Sequence, residues 1–583
     1  MKKLFLFVLF LSLVNPGFSQ ATSLLSDSVS HKIDSVINAQ MTKKHIVGAS
    51  MAIVDHGKIV YAKGYGYADN RKKIKATEKT VFCIGSITKT FTAMAIMKLQ
   101  EEGKIELDKP ASYYLPELKI RSIAETGDIL KIRNLLSHTS GLTDGFMNKD
   151  ECDNEQDMNS IIEDLNQEVL VHKTNWKWSY SNVGYDVLGC IIERLSGMKY
   201  MDYIRKNFLQ TMGMRHSDFY DRPKDSTYSR GYLNDTDQTP EPYMRDIPAG
   251  ALFCSAPDMA NFMNVMMNKG LYGSNQVLSQ SSILAMYTDH TNQTIIPNDE
   301  KYGFATFLLP MNFEEDSLYG LAIGHGGDTH TFHSVYFVFP KMDFGVVILT
   351  NSEQGHSFCN SAFVNVFKAW MKYDKGIKLH LAKDKKKTAT ADNSLPVSEV
   401  TGDYATGTDV IIHVKRINGH KLVMKQEGHF FILKKQPDGT YSVTLKLFLV
   451  YPYHIKGLGM GFDKIDGKVY FKQINTANGS SEYVLVKDTL VPLSDSWKNI
   501  AGKYKLLNSC EGNQQGRPQQ VIIHGNKIWL KVKFTEKEIA TFSFTQLNDN
   551  QATMDGIDRR GGDIMKILPN GHLWFSGYEM EKE

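Results

Sequence analysis

The sequence predicts an α/β (α+β) domain followed by all-β, barrel-like modules. Upstream of about residue 375, helix-length apolar patterns alternate with strand patterns, whereas downstream the pattern is β throughout. A stretch rich in Lys, Thr, Ala and Asp separates the two regions and has the composition of a linker. Because a single core stops growing at about 250–300 residues, a chain of 583 residues is expected to form several domains. We place them at 21–375, 396–490 and 491–583, with the linker at 376–395.

Residues 1–20 have the layout of a secretory signal peptide. A short basic start precedes a run at 4–14 that is apolar apart from one serine, and small residues follow at 15–19. The run is shorter than the ~20 residues that a bilayer span needs, and no cysteine lies near the cleavage point to carry a lipid. The pattern predicts an exported protein without a stable membrane anchor, in a Gram-negative periplasm; a buried N-terminal helix is the alternative.

Charge and cysteine content exclude several classes of protein. The 67 basic and 64 acidic residues leave a net charge of +3, which does not favour nucleic acid as a partner. The 6 cysteines are scattered without a CxxC pair, so neither a dense disulfide scaffold nor a clustered zinc site is indicated. These features leave a small molecule or a cell-wall fragment as the partner. They do not determine the oligomeric state or the pairing of cysteines.

Specific elements follow from periodicity and turn residues in the first region. A hairpin is predicted from strands at 50–54 and 59–66, joined by an Asp-His-Gly turn. Gly103 is the residue expected just after the end of a helix. Helices are predicted at 26–41, 86–102 and 358–371.

The second region contains two similar units. Strands at 410–417 and 421–425 flank an Asn-Gly pair, which is a strong hairpin signal. The sequence VTGDY at 400–404 recurs as IAGKY at 500–504. Each unit has enough short strands for a small antiparallel barrel. One large sandwich is the alternative.

The stretch Ser86-Ile87-Thr88-Lys89 offers a nucleophile and a base. A serine and a lysine three residues apart at the start of a helix lie on the same face. A serine hydroxyl is a weak nucleophile until a neighbouring base activates it, and a lysine in a desolvated cleft can be that base. A capping serine followed by an exposed lysine is the alternative.

The stretch Tyr180-Ser181-Asn182 offers a phenol and an amide that can point the same way from an extended loop. A tyrosine can transfer a proton when an ammonium lies nearby, and an asparagine can bind both a lysine and a substrate carbonyl. A polar loop with a packed aromatic ring is the alternative.

The stretch GHGGD at 324–328 precedes an apolar strand predicted at 335–339. Glycines let a substrate approach the backbone, and an N–H there could complete an oxyanion hole. His330 and His333 raise the question of a metal. Because no carboxylate or cysteine lies at matching metal spacing, we expect neither a metal nor another cofactor.

In this order the three motifs resemble the S-x-x-K, Y-x-N and K/H-x-G boxes of the serine penicillin-recognising enzymes, specifically their class C β-lactamase-like branch. Three further stretches match that family: LLSHTSGL at 135–142, PAGAL at 248–252 and FGVVILTN at 344–351. The resemblance covers about residues 25–375. It implies a β-lactamase/transpeptidase-like domain with a central antiparallel sheet and a helical region. Relatives include D-aminopeptidases, D-Ala-D-Ala carboxypeptidases, esterases and some acyltransferases.

The resemblance also assigns catalytic roles. Ser86 would be the nucleophile, Lys89 would activate it, and Tyr180 would be the general base toward Ser86 and later toward the acceptor. His138, in the 135–142 stretch, is interpreted as structural.

The remaining boxes would bind substrate. Asn182 would orient Lys89 and the substrate, and His325 and Gly327 would line the cleft. The backbone N–H of Asp328, together with that of Ser86, would form the oxyanion hole.

One departure from the family bears on the substrate. True class C β-lactamases have a lysine where this chain has His325, and a histidine is largely neutral at pH 7. This favours esters or amides over efficient β-lactam hydrolysis. The sequence contains no G-x-S-x-G motif, which argues against an α/β-hydrolase.

The sequence therefore predicts an exported serine hydrolase of the D-peptidase or esterase type. An acyltransferase that passes the acyl group to a hydroxyl or amine is the alternative, and a β-lactamase or a non-catalytic penicillin-binding sensor is the second. Three-domain relatives such as D-aminopeptidases carry two C-terminal barrels, from which a loop can reach the active site. The resemblance thus suggests that the tail restricts the acyl pocket.

Overall fold

The computed structural model describes most of the chain after the N-terminus. The predicted signal peptide and residues 383–394 of the predicted linker lie outside the described residues. The described residues are 24–122, 129–147, 151–152, 155–219, 226–234, 236–239, 243–297, 299–382, 395–405, 411–418, 421–426, 429–447, 451–476, 480–488, 491–508, 518–533, 539–557 and 560–583.

A seven-stranded sheet, here called the central sheet, organises the first region, and all its neighbouring strands pair antiparallel. Its middle strands are buried along their whole length because helices cover both faces. The predicted hairpin lies within it. In spatial order the strands are Phe307–Leu309, Ala322–Asp328, His333–Phe339, Phe344–Thr350, Gly48–Asp55, Lys58–Asp69 and Ile74–Lys75.

Two long helices, Asp27–Lys44 and Gly355–Tyr373, pack together and cover one face of the central sheet. The first begins where the Ser26 hydroxyl accepts a hydrogen bond from the Val29 N–H. It ends at His45, which has the left-handed conformation. Both helices exceed the predicted 26–41 and 358–371 by two or three residues at one or both ends, which is ordinary for ends judged from periodicity.

A helical region with a large apolar core covers the other face. The predicted helix at 86–102 is two elements, a 3₁₀ turn at Gly85–Ile87 and an α-helix at Thr88–Glu101. The other described helical segments of this domain are Ala111–Tyr114, Ile132–Leu136, Met158–Ser160 (3₁₀), Ile161–Asn166, Asn182–Ser196, Tyr200–Ile204, Arg205–Leu209 (π), Ile247–Gly250, Ala256–Met267, Gln280–Met286 and Asp316–Tyr319.

Short strands connect these helices. They are Val81–Cys83, Leu252–Ser255 and Asp218–Phe219 in a three-stranded sheet, and the pairs Gln238–Thr239 with Gly231–Tyr232, Tyr243–Met244 with Glu151–Cys152, Leu271–Tyr272 with Asn275–Gln276, and Arg121–Ser122 with Val169–Leu170.

The C-terminal region forms two closed eight-stranded barrels, each preceded by a short helix, Val397–Val400 or Asp495–Lys498. The barrels confirm the predicted β modules, so the alternative of one sandwich is wrong. The first barrel consists of Gly402–Ala405, Ile411–Asn418, Lys421–Gln426, His429–Lys435, Tyr441–Leu447, Tyr451–Ile465, Lys468–Asn475 and Ser481–Lys487. The second consists of Gly502–Leu506, Pro518–His524, Lys527–Lys533, Ile539–Asn548, Gln551–Met554, Ile564–Ile567, Leu573–Phe575 and Tyr578–Lys582.

The cysteines differ in state. Cys83, Cys190, Cys254 and Cys359 are buried thiols, as predicted for small apolar side chains, whereas Cys152 is disulfide-bonded. Among the described residues, no helix combines the length and the apolar character needed to cross a bilayer.

Candidate active site

Ser86 and Lys89 lie at the junction of the 3₁₀ turn and the buried helix that follows it. Lys89 is fully buried, and its Nζ lies 3.1 Å from Ser86 Oγ. Gly85 makes this turn possible because its φ is +51° and a Cβ there would lie 2.7 Å from the backbone N of Asp328. The turn that presents Ser86 is therefore pressed against the strand that carries the third box.

Three acceptors surround the Lys89 amine. Besides Ser86 Oγ, they are Asn182 Oδ1 at 2.6 Å and the carbonyl of Ala249 at 2.8 Å. An amide oxygen and a carbonyl can only accept, so a neutral amine would donate to both and keep its lone pair for the Ser86 proton. The same contacts would hold an ammonium through three donated bonds. The position thus suits a group that takes and returns a proton.

Asn182 reaches Lys89 from the start of the helix Asn182–Ser196. The N-cap residue Ser181 accepts from the Gly184 N–H at 3.1 Å, and Asn182 N–H donates to the carbonyl of Asp144 at 2.8 Å. These bonds fix the backbone from which the amide side chain projects. The predicted orienting role of Asn182 therefore has a direct geometric basis.

Tyr180 lies over the same amine, with its ring centroid 4.8 Å from Lys89 Nζ. The ring of His138 packs against it at 4.1 Å, and His138 Nδ1 accepts from the Ser181 N–H at 3.1 Å. His138 itself has a φ of +58° and is fully buried. It supports the loop that carries Tyr180, in line with the structural role predicted for it.

The third box runs along the strand Ala322–Asp328. Gly327 is required there because a Cβ would lie 1.9 Å from the carbonyl of Ile84, to which Ser334 Oγ also donates at 2.8 Å. The 3₁₀ turn and the strand are thereby held in direct contact, with the backbone of Asp328 beside the turn. This closeness places the predicted oxyanion donors on adjoining segments.

His325 is buried and electrically neutral. Burial lowers its pKa to about 4, and Lys89, when protonated, acts in the same direction. Its Nδ1 contacts the carbonyl of Gly326, so Nδ1 carries the proton and Nε2 accepts from the Tyr302 hydroxyl at 3.1 Å. His325 therefore supplies no fixed positive charge for a substrate carboxylate.

Asp328 has a second set of partners on its side chain. Its carboxylate lies 2.5 Å from His333 Nδ1 and 3.1 Å from His356 Nδ1. Burial alone would raise the pKa of Asp328, but the two histidines bring it below its usual value. The expectation of no metal rested on the lack of a carboxylate or cysteine at matching spacing and did not consider His356, which the structure places beside Asp328.

A buried acidic pair lies near Lys89. Burial and then the neighbouring Asp186 hold the pKa of Asp246 well above its usual range. The adjacent Arg245 pairs with Asp164 at 2.5 Å.

Several contributors were missed by the sequence analysis. The Ala249 carbonyl lies within the PAGAL stretch that matched the family, but a main-chain oxygen carries no residue signature. Tyr302 packs on His138 and binds His325 without belonging to any motif. His356 lies 28 residues after Asp328, on a helix of another layer.

The second barrel holds the backbone that supports Asn182. We call residues 144–147 the support segment, since the carbonyl of Asp144 accepts from Asn182. Arg560 donates to the carbonyl of Gly145 at 3.2 Å, and Tyr578 donates to the carbonyl of Met147 at 3.0 Å. A chain of hydrogen bonds therefore leads from the second barrel to the second box.

Comparison with known proteins places these features in a family. The family model described as Beta-lactamase matches residues 33–368, which is more than half of the chain. Protein flp of Staphylococcus aureus (strain MRSA252) is 30% identical over 334 residues, 56% of this chain and 64% of that protein. The putative penicillin-binding protein PbpX of Bacillus subtilis (strain 168) is 31% identical over 266 residues, 45% of this chain and 62% of that protein. The matches thus span less than two thirds of either relative.

A solved structure shares the fold. The octameric penicillin-binding protein homologue from Pyrococcus abyssi superposes with a TM-score of 0.52 at 24% identity, over 79% of this chain and 100% of that one. With the central antiparallel sheet and the two barrels, this fold is that of the β-lactamase and penicillin-binding serine hydrolases. The chain belongs to the β-lactamase family.

Proposed function

We propose that the protein is a serine acyl-transfer enzyme that forms a covalent acyl-enzyme on Ser86 and hydrolyses an ester or amide. The substrate would be a small molecule or a cell-wall fragment, as for a D-peptidase or an esterase. The proposal rests on one observation: Lys89 Nζ lies 3.1 Å from Ser86 Oγ while the Asn182 side chain and the Ala249 carbonyl hold it in place. A buried amine aimed at a half-buried hydroxyl is the arrangement that activates a nucleophile.

In the first half of the reaction, Ser86 Oγ attacks the carbonyl carbon and its proton passes to the pair formed by Lys89 and Tyr180. The carbonyl π electrons move to oxygen, and the negative charge is stabilised by the N–H groups of Ser86 and Asp328. Collapse of this intermediate expels the leaving group, which takes its proton by way of Lys89 and Tyr180. The acyl group then remains on Ser86.

In the second half, an acceptor attacks the acyl-enzyme. Tyr180 withdraws the acceptor's proton, and Ser86 recovers its own when the bond breaks. Water as acceptor makes the enzyme a hydrolase. An alcohol or amine makes it an acyltransferase.

The neutral state of His325 supports esters and amides over β-lactams. Since its pKa is lowered to about 4, it offers no cation to a substrate carboxylate at neutral pH. β-Lactam turnover would therefore be slow.

The acyltransferase is favoured by one feature of the cleft. The Trp178 ring packs against Tyr180, Tyr302 and Phe307, so an apolar wall adjoins the proposed base. Phe146 is instead fully buried beside Arg245, and Trp176 stacks on His172.

Export is part of the proposal. It is supported by the signal-like pattern of residues 1–20 and by the disulfide-bonded state of Cys152, because disulfides persist in oxidising compartments.

The test is labelling with a fluorophosphonate followed by intact-mass measurement. The wild type should gain one adduct, the Ser86→Ala variant none, and the Ser398→Ala variant, which removes an exposed serine of the first barrel's short helix, should label normally. Labelling of Ser86→Ala, or no labelling and no ester turnover by the wild type, would overturn the proposal in favour of a binding protein.

The fate of the acyl-enzyme separates the candidate activities. With a p-nitrophenyl ester, a hydrolase clears its adduct in water, whereas a transferase keeps it until an alcohol is added. Rapid turnover of nitrocefin would instead identify a β-lactamase.

A further inference from the structure

Three side chains from three elements converge where two neighbouring strands of the central sheet meet. Asp328 ends one strand, His333 begins the next and is its cross-strand partner, and His356 lies on the first turn of the helix Gly355–Tyr373. Their ligand atoms all lie within 4.8 Å of one another. The proposed catalytic steps use the backbone of Asp328 but none of these side chains.

The fold holds one of the three rigidly. His333 is buried, and the helix can approach it because residue 355 is a glycine, where a Cβ would lie 2.6 Å from the His333 ring. The side chains of Asp328 and His356 are 49% and 66% exposed. One fixed imidazole and two adjustable ligands thus face an opening to solvent.

We propose that Asp328, His333 and His356 form a binding site for a divalent transition-metal ion of the Zn²⁺ type. Two imidazole nitrogens and one carboxylate, with a further position left to water, are a common zinc ligand set. Tetrahedral zinc ligands lie about 3.3 Å apart, so the present separations of 2.5 and 3.1 Å require only small outward rotations of the exposed side chains.

A contact of His356 outside the three ligands also fits metal binding. Asn360, one helical turn after His356, lies 3.1 Å from His356 Nε2. When Nδ1 binds a metal, Nε2 carries the proton, and the Asn360 side-chain oxygen can accept it once the amide is turned. Nitrogen ligands also select against Mg²⁺ and Ca²⁺, which take oxygen ligands.

The experiment is isothermal titration of the tag-free, chelator-treated full chain with ZnCl₂, repeated with CoCl₂ to record visible d–d absorption. We expect one ion per chain, and tetrahedral Co²⁺ absorption. The His356→Asn variant should bind about tenfold or more weakly. MgCl₂ should give no saturable heat.

The control is His380→Asn. His380 is also exposed and lies 2.7 Å from a carboxylate of Glu315, but no third ligand completes that pair among the described residues. This variant should bind Zn²⁺ like the wild type. Equal binding by His356→Asn, or no saturable Zn²⁺ binding by a wild type that still labels at Ser86, would overturn the site without touching the proposed function.

Discussion

The first and second barrels close by the same device. In the first, Gly402 has a φ of +141°, and a Cβ there would lie 2.7 Å from Lys487 Cε on the last strand. Lys487 donates to the carbonyl of Glu399 at 2.6 Å, and the Tyr404 hydroxyl donates to the carbonyl of Val400 at 2.9 Å. The first strand is thereby tied both to the last strand and to the helix before it.

The second barrel repeats each contact. Gly502 has a φ of +153°, and its Cβ would lie 2.8 Å from Lys582 Cε. Lys582 donates to the carbonyl of Asn499 at 2.8 Å, and Tyr504 donates to that of Ile500 at 2.7 Å. The five-residue echo in the sequence therefore marks one structural unit used twice.

The barrels differ in how they meet the catalytic domain. The first packs through Tyr470 and Ile465 in an apolar cluster with Trp176, which Ile557 of the second barrel also joins. The second barrel in addition binds the support segment through hydrogen bonds, among them that of Tyr578. Closure is thus internal to each unit, whereas the contacts with the catalytic domain differ between the two units.

The largest expected difference concerns buried charge. Lys527 of the second barrel is 5% exposed and bonds Asp488 at 2.7 Å and Asp555 at 2.8 Å. Lys527→Met leaves both buried carboxylates uncompensated and should cost about 3–5 kcal/mol of unfolding free energy. Lys472→Met in the first barrel, where the pair with Asp463 is partly exposed, should cost less than about 1 kcal/mol. Urea unfolding measures both, and equal losses would refute the distinction.

The second difference concerns activity. Arg560→Ala removes a bond to the support segment, so Asn182 and Lys89 should lose alignment and kcat/KM on an ester should fall about tenfold. Arg416→Ala, which removes an exposed arginine of the first barrel, serves as the matched control and should leave the rate unchanged. If both variants keep full activity, the second barrel has no role in positioning.

The third prediction concerns how stability depends on pH through the contact between the second barrel and the catalytic domain. Burial raises the pKa of Glu168, which lies 3.9 Å from Lys566 of the second barrel. The folded state therefore holds this proton more tightly than the unfolded state, and the stabilisation is lost as pH rises through the raised value. Between about pH 5 and about pH 9, the free energy of unfolding obtained from thermal melting should fall by on the order of 2 kcal/mol. The Glu168→Gln variant should show a smaller fall. If Glu168→Gln loses as much stability between these pH values as the wild type does, Glu168 is not the group responsible.

The smallest expected effect comes from removing a single tyrosine hydroxyl from each barrel. Tyr578→Phe removes the bond to the carbonyl of Met147, worth about 1 kcal/mol, and should lower kcat/KM a few-fold. Tyr483→Phe, whose hydroxyl binds Asp463 within the first barrel, should change stability but not rate. Steady-state kinetics on the two variants decide it.

Local patterns predicted much of the fold. The two long helices, the buried helix and the first hairpin depend on contacts a few residues apart, so periodicity and turn residues reveal them. Ser86 and Lys89 meet because residues three apart on a helix share a face. Helix ends shifted by a few residues, and the start of the buried helix proved to be a 3₁₀ turn because Gly85 must approach Asp328.

By itself, the sequence determined the boxes, the order of domain types and the duplication of the barrel unit, because each is recognised from residues that are close together in the chain. Only the tertiary structure decided what surrounds them. The Ala249 carbonyl on Lys89, the neutral state of His325 and the meeting of His356 with Asp328 all depend on burial and on contacts between distant segments. Main-chain atoms and long-range distances have no signature in a one-dimensional pattern, since they arise only when the layers pack.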